Sequence, residues 1–171
     1  MAVRREIVQK LSATAAAAIV ACWSVPGSSQ TDSAPQCSPF TVETRVEVIR
    51  FVDLDPVGKG LGDFRIGASG LFDEDGTRIG STYFRSTIIP SPETGADMVL
   101  ATLVHAFSNG TISATVLAHL ADARDEDLST TETTHQAITG GTEAFSSAHG
   151  SATISTGNDG ARLIAFDISC D

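Results

Sequence analysis

Few side chains in this sequence are placed to do chemistry, and those that are share one peculiarity: they are polar residues on apolar faces of alternating segments. His105 follows Val99, Ala101 and Leu103 and precedes Phe107 in an every-second-residue series, so on a strand it points to the side those apolar residues take. Arg50 stands in the same relation to Val42, Val46, Val48 and Val52, with Thr44 between them, while Glu43, Arg45 and Glu47 take the opposite face. Tyr83, opposite Ile66 across the next hairpin, is placed to present its hydroxyl to an interior. An inward imidazole, guanidinium or phenol orients a ligand oxygen and biases charge during a rearrangement, and an inward arginine needs an anionic partner or such an oxygen. The competing reading for His105 is a satisfied core residue, and for Glu47 a solvated strand position. His119, His135 and His149 fall on the polar side or in loops and receive no role.

The elements that must position these residues are strands. Apolar residues recur mainly with period two, and turn signals arrive at short intervals. Eight strands are predicted: Phe40 to Val52, Gly62 to Phe72, Thr77 to Ile88, Asp97 to Ser108, Thr111 to Ala121, Thr134 to Thr139, Ser151 to Thr156 and Ala161 to Cys170. Asp73-Glu74-Asp75-Gly76, Ser108-Asn109-Gly110-Thr111 and Gly157-Asn158-Asp159-Gly160 are the tight connections, and Asn109-Gly110 reads as a type I′ turn. In that register, residues whose numbers sum to about 219 face each other, which sets His105 on one face with Ile112, Ala114, Val116, Ala118 and Leu120. Asp122 to Thr133 reads as a loop and Thr142 to His149 as a helical turn stopped by Gly150. The fold class is all-β, an eight-stranded antiparallel β-barrel preceded by a signal segment; closure removes the edges an open sheet would expose.

Other chemistries lack their residues. Gly67-Ala68-Ser69-Gly70 has no following helix to form a hydrolase elbow, and Gly58-Lys59-Gly60 lacks the rest of a phosphate loop. Asp122 to Asp127 does not follow a calcium-loop spacing, and no Cys/His spacing suggests zinc, so neither a metal nor a cofactor is expected. Asn109-Gly110-Thr111 is a glycosylation sequon only in form, since a tight hairpin is a poor acceptor. A net charge of -10 argues against a nucleic-acid partner.

Arg4, Arg5 and Lys10 ahead of the apolar stretch Leu11 to Trp23 read as a secretory signal over residues 1–21, too short to span a bilayer comfortably. Ile19-Val20-Ala21-Cys22 resembles a lipoprotein box, in which Cys22 would carry lipid and provide the one membrane attachment; ordinary cleavage after Ala21 or within Pro26 to Gln30 is the alternative. Residues 22–39 form a Ser-, Pro- and Gln-rich lead-in, and residues 40–171 the barrel. The expected location is secreted or periplasmic. Cys37 and Cys170 then remain as a pair, which in an oxidising compartment suggests a disulfide joining the ends of the domain; two separate buried thiols are the alternative.

Leu61-Gly62-Asp63 opening a strand, Asp75-Gly76, Gly80, Asn109-Gly110, and Ala137-Ile138-Thr139-Gly140-Gly141-Thr142 followed by Phe145 and Gly150 resemble, in order and spacing, the allene oxide cyclase and dirigent barrel superfamily. The resemblance covers Gly62 to Gly150 and consists of turn residues. Cysteines outside the barrel strands are also similar to those of secreted dirigent proteins. Glu143 stands where many members have a third glycine, and Glu47 and Pro56 only approximate the acid and proline of the cyclases' first strand. The resemblance implies a barrel cavity that holds a small lipophilic molecule while a ring closes or two groups couple, without a cofactor. Strand register gives Arg50, Tyr83 and His105 as candidate catalytic residues, and the first-strand acid of the cyclases adds Glu47; association into homo-oligomers through outward apolar positions is what the resemblance further implies. A lipocalin-like carrier and a barrel filled by its own side chains are the alternatives, and a barrel without a cavity of roughly a few hundred Å³ would leave only the last.

Overall fold

The computed structural model describes residues 34–54, 61–90, 97–119, 133–156 and 161–171. The signal segment 1–21, Cys22, the loop from Asp122 and the turn from Gly157 to Gly160 lie outside the described residues, apart from the loop's last residue, Thr133.

Eight strands form a closed antiparallel barrel in which each pairs with the next and the last returns to the first. They are β1 (Phe40–Val52), β2 (Phe64–Phe72), β3 (Arg78–Pro90), β4 (Asp97–Phe107), β5 (Gly110–His119), β6 (Thr134–Gly141), β7 (Ala148–Thr156) and β8 (Arg162–Cys170). The expected strands agree to within two residues, save that β7 begins at Ala148 and not Ser151. That early start shortens the expected helical turn to a 3-10 turn over Glu143–Phe145, and Gly150 lies inside β7 with φ 124°. Glu143 has φ 54°, a left-handed conformation that glycine takes without strain.

Two local features decide which way side chains point. In the β4–β5 hairpin Phe107 pairs with Gly110, so Ser108 and Asn109 are the turn residues and facing numbers sum to 217 rather than 219. Positive φ falls on Gly110 (142°) and not on Asn109, so the turn is not type I′. A shift of two leaves every face unchanged, and His105 keeps its inward side with Ile112, Ala114, Val116 and Ala118. In β1 the register breaks: Val46 pairs with Ser69 and Val48 with Ala68, leaving Glu47 as the extra residue of a bulge. One extra residue reverses the alternation beyond it. Phe51 therefore turns toward the interior, and Val48, Arg50 and Val52 turn away from it.

The two ends of the barrel differ. At one end Phe107, Phe145 and Phe166 join Leu71, Ile112 and Ile168 in the main buried cluster, with Phe40 stacked on Phe166 at 4.6 Å. Phe145, fully buried, is delivered by the 3-10 turn. Gly110 and Gly141 sit beneath it because a Cβ at either would collide with backbone and with the Phe145 residue. Cys37 and Cys170 form a disulfide over the same end, with Cα atoms 5.9 Å apart and 133 residues between them in sequence.

At the other end two seams part. β1 pairs with β8 only over Phe40 to Thr44, and β5 with β6 only over Ile112 to Thr115. β3 and β4, by contrast, stay paired from Gly80–Phe107 to Pro90–Asp97. With β8 no longer beside it, inward Val46 is 41% exposed.

Candidate functional site

The parted seams enclose a cavity of about 120 Å³. An enclosed water needs about 10–15 Å³ on the same measure, so there is room for a compact organic molecule. The volume is under the few hundred Å³ of a drug-sized site, which excludes a large lipophile lying wholly inside and brings the cavity toward the filled-barrel alternative. The barrel is nonetheless not filled: its walls are mainly apolar, from Phe51, Phe84, Val99, Leu103, Val116 and Ile164, with Asp63, Arg65, Thr134 and Arg162 also in the lining. Gly67 is in β2 because the Phe84 ring occupies the space a Cβ would need.

The buried polar group of this interior is a chain of three side chains from three strands. Thr82 of β3 and Gln136 of β6 are in the cavity wall, and His105 of β4 lies behind them, 0% exposed. His105 Nδ1 is 2.9 Å from Thr82 Oγ1, and His105 Nε2 is 3.2 Å from Gln136 Oε1. The imidazole meets the Phe166 ring edge-on at 4.9 Å, so the closed-end cluster supports the polar floor from below. Burial pushes the His105 pKa down to about 4, against a smaller upward pull from the hydrogen bond to Gln136. The ring is therefore neutral at pH 7. It is a dipolar link, not a charge.

None of the four candidate catalytic residues lines the cavity; His105 comes nearest, directly behind Thr82 and Gln136. Arg50 was expected to face inward and does not: the bulge at Glu47 turns it out, where it is exposed and donates to Ile49 O at 3.3 Å. Tyr83 is 56% exposed because β3 presents Thr82, Phe84, Ser86 and Ile88 to the cavity, and the alternation sends Tyr83 outward; its partner in β2 is Ala68, not Ile66. Glu47 is exposed and ion-paired to Arg78 at 2.7 Å. His149 has Ser169 and Asp171 near it, both at the same nitrogen, Nε2, so the base and its orienter do not lie on opposite ring nitrogens as a catalytic triad requires. Among the described residues no three His, Cys, Asp or Glu gather as metal ligands.

Sequence reasoning missed Thr82 and Gln136. The signal that selected His105 was available for Gln136 too, since it alternates with Ile138 on one face. An uncharged amide one residue ahead of the turn-like Ala137 to Thr142 run is a weaker signal than an imidazole.

Fold and cavity together define a closed eight-stranded antiparallel barrel whose strands enclose a small space. No protein-family model matches the chain, and no curated protein matches it. Solved structures do share the fold. A pyocyanin demethylase superimposes with a TM-score of 0.61 at 20% identity, over 77% of this chain and 99% of that one. The Diels Alderase AbmU from Streptomyces koyangensis gives 0.58 at 16% identity, over 75% of this chain; this chain spans just under two thirds of it, 64%. AbnU, an exo-specific intermolecular Diels-Alderase, gives 0.53 at 12% identity, over 76% of this chain and 96% of that one. At these identities what is shared is the fold.

Proposed function

We propose that this chain is an exported barrel that holds a small, mostly apolar molecule in its open end and steers the closure of a ring or the coupling of two groups. The observation that carries the reading is the one-ended cavity with apolar walls and a buried, neutral Thr82–His105–Gln136 floor. On an intrinsically reactive substrate such a pocket acts by restricting conformers and aligning the reacting ends, worth several kcal/mol of barrier. The floor dipoles favour one distribution of developing charge, and exclusion of water protects a reactive intermediate. No cofactor is needed for that mode of action. Structural neighbours described as Diels-Alderases support the cyclisation reading, and the turn residues shared with allene oxide cyclases and dirigent proteins support the finer one. The disulfide supports export, since such bonds persist in oxidising compartments.

A carrier without chemistry is the second reading, favoured by a floor that contains no charged group. The test is native mass spectrometry of protein purified from its source, followed by incubation of the precursor of any co-purifying molecule with and without the protein. A cyclase changes the ratio of cyclised products or their stereoisomers. Binding with an unchanged product ratio leaves the carrier, and a barrel that retains no small molecule leaves neither.

A further inference from the structure

The polar floor has a direction. Gln136 Oε1 only accepts hydrogen bonds, so His105 Nε2 carries the ring proton and donates it. Nδ1 is then the acceptor, and Thr82 donates its hydroxyl hydrogen to it. Every group along the chain is satisfied except the last. Gln136 is 1% exposed, and its Nε2 is buried without a hydrogen-bond partner. Oε1 is turned to His105, and Nε2 is the other end of a side chain that stands in the cavity wall, just beneath its surface. Leu103, Val116, Ile154 and Ile164 in the same wall contain no side-chain acceptor, and the other hydroxyl and carboxylate residues of the lining, Thr44, Asp63, Ser69, Ser86 and Thr134, make no bond to Nε2. Buried donors in folded proteins are almost always paired, and an orphan calls for a partner.

We propose that Gln136 is the specificity-determining residue of the cavity: its Nε2 donates to a carbonyl-type oxygen of the ligand. The cavity then takes compact, mostly apolar molecules bearing one hydrogen-bond acceptor, which meets dipoles at the floor, while Arg65 and Arg162 stand elsewhere in the lining. Thr82 and His105 are positioning residues; by holding Oε1 they keep the amide hydrogens aimed at the ligand. This rests on the ligand-binding part of the reading above and is independent of whether a ring closes.

Three probes of similar shape separate the outcomes: indane has no polar group, 1-indanone adds an acceptor, and indole adds a donor. Binding to the full chain is followed by NMR titration. With the wild type, 1-indanone binds about three- to tenfold tighter than indane, the increment of one neutral hydrogen bond, and indole gains nothing. In Gln136→Leu the preference of 1-indanone over indane disappears. Because that variant also strands the His105 N–H, the wild type supplies a second measurement: the Gln136 side-chain amide protons move downfield with 1-indanone and stay in place with indane. Preference for indole would mean that the amide oxygen faces the cavity, which overturns the proposal, as does equal binding of indane and 1-indanone. In both cases the cavity reading survives. If none of the three binds, that reading fails as well.

Discussion

The closed and open ends of the barrel are built from the same eight strands and are stabilised differently. At the closed end the inward side chains, large and small, pack into one buried cluster, the Phe145 turn plugs the middle, and a disulfide joins Cys37 to Cys170. At the open end the same strands carry smaller or more widely spaced inward residues, such as Ala101 and Ala118, and two of the eight seams lose their pairing. Burial of aromatic surface at one end, roughly 25 cal/mol per Å², allows the other end to remain hollow. The boundary between them is the His105 level, where Phe166 meets the imidazole from the closed side and the cavity begins on the other.

The largest expected effect breaks the closed end. Replacing both cysteines, Cys37→Ala with Cys170→Ala, releases a cross-link across 133 residues, which on the chain-entropy account costs about 4–5 kcal/mol. Urea unfolding of the double variant against the oxidised wild type measures it through the midpoint at constant slope. A loss under about 1 kcal/mol would mean that aromatic packing alone holds this end.

Next in size is the boundary. The His105 pKa is about 4 in the folded protein and about 6.5 in an unfolded chain. Between these values the unfolded state binds a proton that the native state refuses, so stability is full above pH 6.5, falls as the pH drops, and levels off near pH 4. The difference of roughly 2.5 units corresponds to about 3 kcal/mol. Comparing unfolding free energies of wild type and His105→Asn between pH 7 and 4 isolates this slope from that of the carboxylates. An imidazole that titrates near 6.5 by NMR would place water at the floor and erase the boundary.

What was legible in the sequence follows the same division. The alternation within each strand and the turn residues between them were sufficient for eight strands and antiparallel order, because side-chain period and turn chemistry are local. Even a register error of two at Ser108-Asn109 did no harm, since faces repeat every two residues. The β1 bulge did harm, because one unpaired residue, Glu47, inverts everything after it, and nothing in the Thr44 to Val52 pattern marks where the inversion falls. Arg50 was misplaced for that reason. Tyr83 failed differently: in a barrel each strand has an apolar-tolerant outer face, and only the curvature of the closed sheet decides which face is inside. Gln136 stands just ahead of Ala137 to Thr142, a run whose glycines read as turn residues, and its own side chain carries no charge to mark it, although it stands in the cavity wall.

The smallest effect is also the most direct comparison of the two ends, because it uses one substitution on one strand. Ala114 and Ala118 both point inward from β5, four residues apart. Ala114 is 0% exposed within the closed-end cluster, whereas Ala118 lines the cavity. Ala→Val raises strand propensity at both positions, so that contribution cancels in the comparison. What remains is space. At Ala114 two added methyl groups meet Ile112-level packing with nowhere to go, and overpacking costs about 1–3 kcal/mol. At Ala118 the same groups enter the void and bury apolar surface, giving no loss or a gain of about 0.5 kcal/mol, while the volume left for a ligand shrinks. Urea midpoints of the two variants at matched slopes measure the contrast. If Ala118→Val costs as much as Ala114→Val, the open end is packed as tightly as the closed one; if it costs nothing and also weakens 1-indanone binding, the added groups are standing where the ligand sits.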